Sequence, residues 1–380
     1  MGRARRVAAR SRSRRHGPRG GPRGARDGAA VRRAPRRAGV TAPVLVTGAG
    51  GLVGTHVIEA LHARGERPRA LVREHSRVLV ESLGAEPFIG DVTDAITWQR
   101  AAQGVRAIVH AAALVASHDT HEEFTRVNVG GTRLALEATR RSGARLIHVS
   151  TVAVYGRTAV YQAGAQGVNE DYPFQPLPER DYYARSKRAT EQLVQQEAAR
   201  DRLSVIAIRP NVIYGERDVL FTRRLLANIE RRVLPRIGPG TNHLSCVYAG
   251  NVASAIVAAL DSPAQSGFRA YNVTQDAQPH LIQRDFFATF ADALGVRPLP
   301  VRIPVPLIRM GVGVWSVLMR LVLPGRYTAL GNAAMSFILG ENPYSIGRIR
   351  SELGWTPPYD TRTAIMRTVS KTKSPGDARA

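Results

Sequence analysis

Lysine is almost missing from this chain. Of its 54 basic residues only Lys187, Lys371 and Lys373 are lysine, and the other 51 are arginine. Two of the three lie close to the C-terminus, so Lys187 reads as the single lysine of the folded body. A chain that uses arginine everywhere else and keeps one lysine points to a site that needs a compact ammonium. Cysteine is equally scarce. The lone thiol, Cys246, excludes an intrachain disulfide framework and fits a reducing, cytoplasmic compartment. Within Leu244-Ser245-Cys246-Val247-Tyr248 it reads as a small core residue of a buried strand, with a catalytic thiol as the alternative. Long apolar runs are absent too. The most apolar stretch, 304–323, has only ten residues between Arg309 and Arg320, too few to span a bilayer.

Acids are missing from the beginning of the chain. Residues 1–40 hold fourteen arginines against the single acid Asp27, +13 of the net +24, and the remaining +11 is spread out. This segment has almost no aliphatic content and is expected to be disordered. It lacks the apolar core of a secretory signal. A transit-type leader, an arm for RNA or acidic surfaces, and a start codon placed too far upstream all fit it. Nucleic-acid binding therefore rests on residues 1–40 alone.

What is present is ample for a globular core: 380 residues, 44% hydrophobic and 22% charged. The stretch Val44-Leu45-Val46-Thr47-Gly48-Ala49-Gly50-Gly51-Leu52-Val53-Gly54 reads as strand, glycine turn, helix. Gly48 would turn the chain out of the strand. Gly51 would let the backbone approach a pyrophosphate, and Gly54 would let the helix pack closely. The N–H groups at the helix start then favour phosphate. The alternative is an ordinary strand-to-helix turn.

Four further strands follow. Arg69–Arg73 ends in arginine where an acid would take ribose hydroxyls, and Arg73 suits a 2′-phosphate instead. That favours NADP over NAD; the competing reading is a solvated strand end. Glu86–Gly90 leads into Asp91, placed to accept from an adenine amino group, and Asp94, an expected helix N-cap. Ala107–His110 runs into Ala111, Ala112 and Ala113, small enough for a flat cofactor to approach. Asn128 follows, either a structural helix residue or one that orders the loop under a nicotinamide. Leu146–Val149 gives way to Ser150 and Thr151.

Tyr183 and Lys187 stand four apart and share a face if helical. An ammonium beside a phenol favours the phenolate, which is expected to lower the Tyr183 pKa and make it a general acid/base.

Taken jointly, Gly48-x-x-Gly51-x-x-Gly54, Asp91-Val92, His110-Ala111-Ala112-Ala113, Asn128-Val129-Gly130-Gly131-Thr132, Ser150-Thr151-x-x-Val154-Tyr155-Gly156, Tyr183-x-x-x-Lys187 and Arg209-Pro210-x-x-Ile213-Tyr214-Gly215 resemble the extended short-chain dehydrogenase/reductases, over roughly 43–260. The ending Val72-Arg73 looks more like the 3β-hydroxysteroid dehydrogenase and dihydroflavonol reductase branches than the sugar-nucleotide epimerases. The resemblance implies a Rossmann-type, doubly wound parallel α/β sheet with a smaller C-terminal substrate-binding region. It implies Tyr183 as acid/base, Lys187 on the nicotinamide ribose, and Thr151 (with Ser150 as fallback) on the substrate oxygen. Leu52, Val53, Val92 and Pro210 would join the glycines, Arg73, Asp91, the three alanines and Asn128 around the cofactor. No metal is implied. One departure is Gly250, where relatives usually carry an acid.

The expected organisation is a disordered tail over 1–40, a nucleotide-binding domain over 41–210 completed by about 246–275, a substrate region over 211–245 and 276–368, and a disordered tail over 369–380. The expected function is NAD(P)-dependent oxidation or reduction of a secondary alcohol or ketone on a largely apolar, steroid- or flavonol-like substrate. A sugar-nucleotide epimerase or dehydratase holding NAD is the alternative, and a non-catalytic nucleotide sensor or RNA-binding protein is a third. The resemblance also implies a homodimer through the helix carrying Tyr183. The apolar 304–323 suits peripheral contact with a membrane, a lid over the substrate, or a buried helix.

Overall fold

Seven parallel strands form one sheet, in the spatial order β10 (Gly267–Val273), β6 (Ser204–Pro210), β5 (Arg145–Val149), β4 (Ala107–His110), β1 (Val44–Thr47), β2 (Arg69–Val72) and β3 (Glu86–Ile89). The computed structural model describes residues 42–115, 120–156, 167–308, 310 and 337–373. The expected tail over 1–40 and most of 304–323 lie outside them. β1, β4 and β5 are buried throughout, as apolar runs covered on both faces must be.

Helices cover both faces. On one, α1 (Leu52–His62) and α8 (Ala249–Asp261) pack Val57, Ile58, Leu61, Val252 and Ile256 against Val44, Val46 and Val109. On the other, α3 (Ala95–Ala101), α5 (Gly131–Ser142) and α6 (Tyr182–Asp201) pack Trp98, Leu136 and Val194 against Leu45, Ile108 and Leu146. Asp94 caps α3 as expected, accepting from the amides of Ile96 and Thr97. Arg145 reaches the other end of a helix: its guanidinium donates to the carbonyls of Ala259 and Ser262 at 2.8 and 2.7 Å, closing α8.

A third core is built from segments far apart in sequence. Between β6 and β10 the chain forms β7 (Val212–Tyr214), α7 (Thr222–Glu230), β8 (Arg236–Ile237) and β9 (Cys246–Tyr248). After β10 come α9 (Gln283–Leu294), β11 (Arg302–Ile303), α10 (Gly347–Leu353) and α11 (Thr361–Lys373). Leu225, Leu226, Ile229, Phe286, Phe290, Ile365 and Val369 meet there around Tyr214 and Tyr248. Cys246 belongs to this core, where burial pushes its thiol up, as the core reading expects. Ala42–Ala380 forms one compact unit.

The end of the chain departs from expectation. Residues from 369 were to be a tail, yet α11 continues to Lys373 and Val369 is 3% exposed. The buried Ala364, Ile365, Thr368 and Val369 form a stripe at helical spacing. Lys371 sits on this helix, 3.1 Å from the Glu59 carboxylate, so Lys187 is not the only lysine of the folded part.

Candidate active site

The sheet order reverses between β1 and β4, and open parallel sheets bind ligands outside the carboxyl ends of the strands at such a point. Gly48, at φ +62°, makes the turn there, and a Cβ on it would lie 2.6 Å from the amide nitrogen of Ala112. The glycine turn and the alanine loop are thus pressed together, backbone to backbone. A Cβ on Gly54 would meet the Gly48 carbonyl oxygen at 2.3 Å, so this glycine fits α1 under the turn. Gly51 precedes α1, is exposed, and leaves Leu52 and Val53 at the first turn, whose amides have no intrahelical acceptor. Backbone atoms of Gly48, Ala111 and Ala112 crowd the turn, and Gly51 is exposed beside it. The turn fits the pyrophosphate of a dinucleotide, and a bound nicotinamide would supply or accept hydride.

The neighbouring loops are fixed by polar contacts. His110 accepts or donates to the Thr47 hydroxyl at 2.8 Å, and burial pushes its pKa down to about 3, so the ring is neutral. Asn128, on a π-helical turn over Thr125–Gly130, accepts from the Leu114 amide at 2.7 Å. It donates to the Leu114 carbonyl at 3.1 Å and to the Ser186 hydroxyl at 2.9 Å. Asn128 is thus buried in a helix and ties down Leu114, in the loop after Ala111–Ala113. Asp91 is exposed at the end of β3, its carboxylate held low by the Thr93 amide and hydroxyl. Val92 accepts from the Trp98 indole at 2.8 Å. Pro210 is buried at the end of β6, level with Val273.

Arg73 is exposed just past β2, and its charge bears on Asp91. Sequence reasoning missed its neighbour Ser76, whose hydroxyl oxygen would lie 2.5 Å from a Cβ on Gly50. Only a glycine at 50 leaves room for that hydroxyl. Arg77 instead turns to Glu81 and Glu74, at 3.3 and 3.6 Å.

Tyr183 and Lys187 lie on the first turns of α6, whose N-cap Asp181 accepts from the Ala184 amide at 3.2 Å. The Thr151 side chain lies near enough to the Tyr183 hydroxyl to lower its pKa, which brings Thr151, Tyr183 and Lys187 to one place. Ser150 points elsewhere: its hydroxyl donates to the buried Glu191. Thr151, not Ser150, therefore faces Tyr183.

One expectation fails. Lys187 was to lower the Tyr183 pKa, but the ammonium donates to the Val149 carbonyl at 2.6 Å. Burial pushes the Tyr183 hydroxyl up to about 12, against the smaller lowering pull of Thr151. Burial also takes Lys187 down to about 8, opposed by the Glu191 carboxylate.

Sequence reasoning also missed Glu191, although Tyr183, Lys187 and Glu191 repeat at four-residue spacing along one face. Arg209 donates to Glu191 through Nε at 3.0 Å and to the Tyr155 hydroxyl at 2.7 Å, and Tyr155 donates to Asn272 at 2.8 Å. This buried network joins the ends of β5, β6 and β10 beneath the site.

His56, Glu59 and Glu216 are the metal-like donor group among the described residues. Cationic side chains already balance it: Arg217 is 2.7 Å from Glu59, and Lys371 and Arg367 are 3.4 and 3.5 Å from Glu216. Burial would raise the Glu216 carboxyl, but the His56 ring and Tyr248 hydroxyl hold it well below its usual range. Gly250 has a steric reason: a Cβ there would lie 2.4 Å from the Tyr248 ring.

A model of the NAD dependent epimerase/dehydratase family matches residues 44–274, from β1 to just past β10. The chain belongs to that family. It is similar to a 4-hydroxy-2-methyl-3-oxo-4-farnesyl-3,4-dihydroquinoline-1-oxide ketoreductase of Stigmatella aurantiaca, 32% identical over 82% of this chain and 90% of the relative. It is also similar to an N-acetyl-alpha-D-glucosaminyl-diphospho-ditrans,octacis-undecaprenol 4-epimerase of Escherichia coli O157:H7, 28% identical over 86% and 94%. A 3 beta-hydroxysteroid dehydrogenase/Delta 5-->4-isomerase of Mycobacterium tuberculosis (strain H37Rv) is 28% identical over 85% of this chain and 88% of its own. This epimerase/dehydratase-family protein is an NAD(P)-binding oxidoreductase of the extended short-chain dehydrogenase/reductase superfamily.

Proposed function

We propose that the protein is an NADP-dependent reductase of a ketone on a largely apolar, steroid- or flavonol-like substrate. The observation that supports it is the Tyr183 hydroxyl beside Thr151 and one turn from Lys187, its pKa pushed up to about 12 by burial. A phenol so placed stays protonated at neutral pH and suits donation to a carbonyl oxygen that gains charge. Thr151 orients that oxygen, and Lys187 holds the ribose hydroxyls from the adjacent turn. Arg73 and Ser76 support the choice of NADP, since a guanidinium and a hydroxyl beside the glycine turn suit a 2′-phosphate. The three relatives, whose names carry farnesyl, undecaprenol and steroid, support an apolar substrate. A homodimer through α6 belongs to the same reading, and sedimentation of the purified chain tests it.

The second reading is a sugar-nucleotide epimerase or dehydratase, favoured by the 4-epimerase among the relatives. Titration of the purified protein with NADPH and NADH, beside turnover of steroid and flavonoid ketones, separates the two. Tighter NADPH and consumption of NADPH by an apolar ketone are expected. NAD retained through purification, with no net turnover of ketones, would overturn the reductase reading.

A further inference from the structure

Several surface arginines of the sheet domain are paired with acids. Arg140 meets Glu197 at 2.8 Å and Asp201 at 2.5 Å, and Arg64 meets Asp261 at 3.0 Å. The stretch from α7 to β8 gathers arginines without such partners close together in sequence. Its inner side chains Leu225, Leu226 and Ile229 enter the third core, while Arg223, Arg224, Arg231, Arg232 and Arg236 are exposed. None of these five forms an ion pair among the described residues, and Glu230 is the one exposed acid in 219–236. Arg224 lies in the first turn of α7, and Arg231 follows directly as its C-cap.

The β8–β11 ladder adds a second observation. Arg236 and Arg302 are register partners, and both are exposed. Like charges side by side on paired strands cost stability unless an anion lies against them. The same ladder brings apolar side chains to the arginines. The Arg236 amide donates to the Val301 carbonyl at 2.9 Å, and Val301 is 48% exposed. Val233, Leu307 and Met310 are 57, 53 and 63% exposed on the flanking segments.

We propose that the outer face of α7 and the β8–β11 ladder is a docking surface for an anionic lipid bilayer. Unpaired arginines give attraction to acidic headgroups, and the apolar side chains among them enter the headgroup–acyl boundary. A nucleic-acid surface would have no use for exposed Val233, Val301, Leu307 and Met310. The docking surface is assigned from these residues alone and stands whatever the substrate is.

Co-sedimentation of the full-length protein with phosphatidylcholine vesicles, with and without phosphatidylglycerol, tests the proposal. Binding is expected with phosphatidylglycerol, weakening as salt is added. The variant Arg224→Glu/Arg231→Glu/Arg236→Glu should bind about a hundredfold more weakly, from roughly fivefold per surface charge. Val233→Ser/Leu307→Ser, which keeps every charge, should lose about tenfold. Residues 1–40 are identical in all three proteins, so differences report on this surface. These side chains are exposed, and unchanged circular dichroism spectra show that the variants fold. Vesicle binding unchanged in the triple variant would mean that the N-terminal arginines alone carry it, and would overturn the proposal. So would a triple variant that loses binding to single-stranded RNA while keeping vesicle binding.

Discussion

Glu191 and Arg209 form an ion pair beneath the candidate site, with Arg209 Nε 3.0 and 3.1 Å from the two carboxylate oxygens and the side chains 2 and 5% exposed. The pair ties α6, which carries Tyr183 and Lys187, to β6, which ends at Pro210. The Ser150 hydroxyl completes the carboxylate's partners next to Thr151. Removing one charge strands the other in a dry interior. Glu191→Ala should therefore cost about 3–5 kcal/mol of stability, read as a fall in the denaturation midpoint. Glu191→Met/Arg209→Met should cost less than the sum of its single changes, measured in the same way. Simple additivity would show that the pair does not act as one unit.

Lys187 sets a pH dependence whose sign follows from its environment. Burial takes its pKa down to about 8, from an ordinary 10.5. Between those values the unfolded chain holds a proton that the folded chain has released, so this group makes stability rise with pH there. Activity should move the other way. If the ammonium positions the ribose, ketone reduction should fall as pH rises through about 8, and Lys187→Met should lose about 10²–10⁴ of kcat/KM at pH 7. A rate profile flat through pH 9 would contradict the role.

Arg73 and Ser76 should set cofactor choice. Arg73→Asp should weaken NADPH by about tenfold or more while leaving NADH unchanged or improved, measured by fluorescence titration. Ser76→Ala should have a smaller effect of the same sign. Equal losses for both cofactors would place Arg73 outside the 2′-phosphate region.

The C-terminal helix predicts a cost for truncation. Deleting residues 369–380 removes Val369, 3% exposed in the third core, and the Lys371 contact to Glu59. The loss should be at least about 1.5–3 kcal/mol in chemical denaturation, from the buried side chain alone. No change would return this stretch to the tail that its sequence suggests.

The sheet was legible because its strands are fully buried and read as unbroken apolar runs, such as Val44–Val46 and Ala107–Val109. Tyr183 and Lys187 stood out because a lysine in an arginine-rich chain stands at helical spacing from a tyrosine, whereas Thr151 came from the family resemblance alone. Glu191 was not, because a carboxylate on a charged helix resembles a solvated face until β5 and β6 close over it. The third core was hidden for a related reason. Its members come from 214 to 369, and no local pattern announces that they meet. The pKa of Tyr183 was misjudged because spacing showed the lysine nearby but not that its ammonium turns to Val149, nor that burial would outweigh it.

Tyr183→Phe tests the central claim most directly, with NADPH binding and NADPH-dependent reduction of an apolar ketone measured on the same preparation. The account predicts cofactor affinity close to that of the unaltered protein and a fall in kcat of about 10²–10⁴. Near-normal turnover in that variant would contradict it.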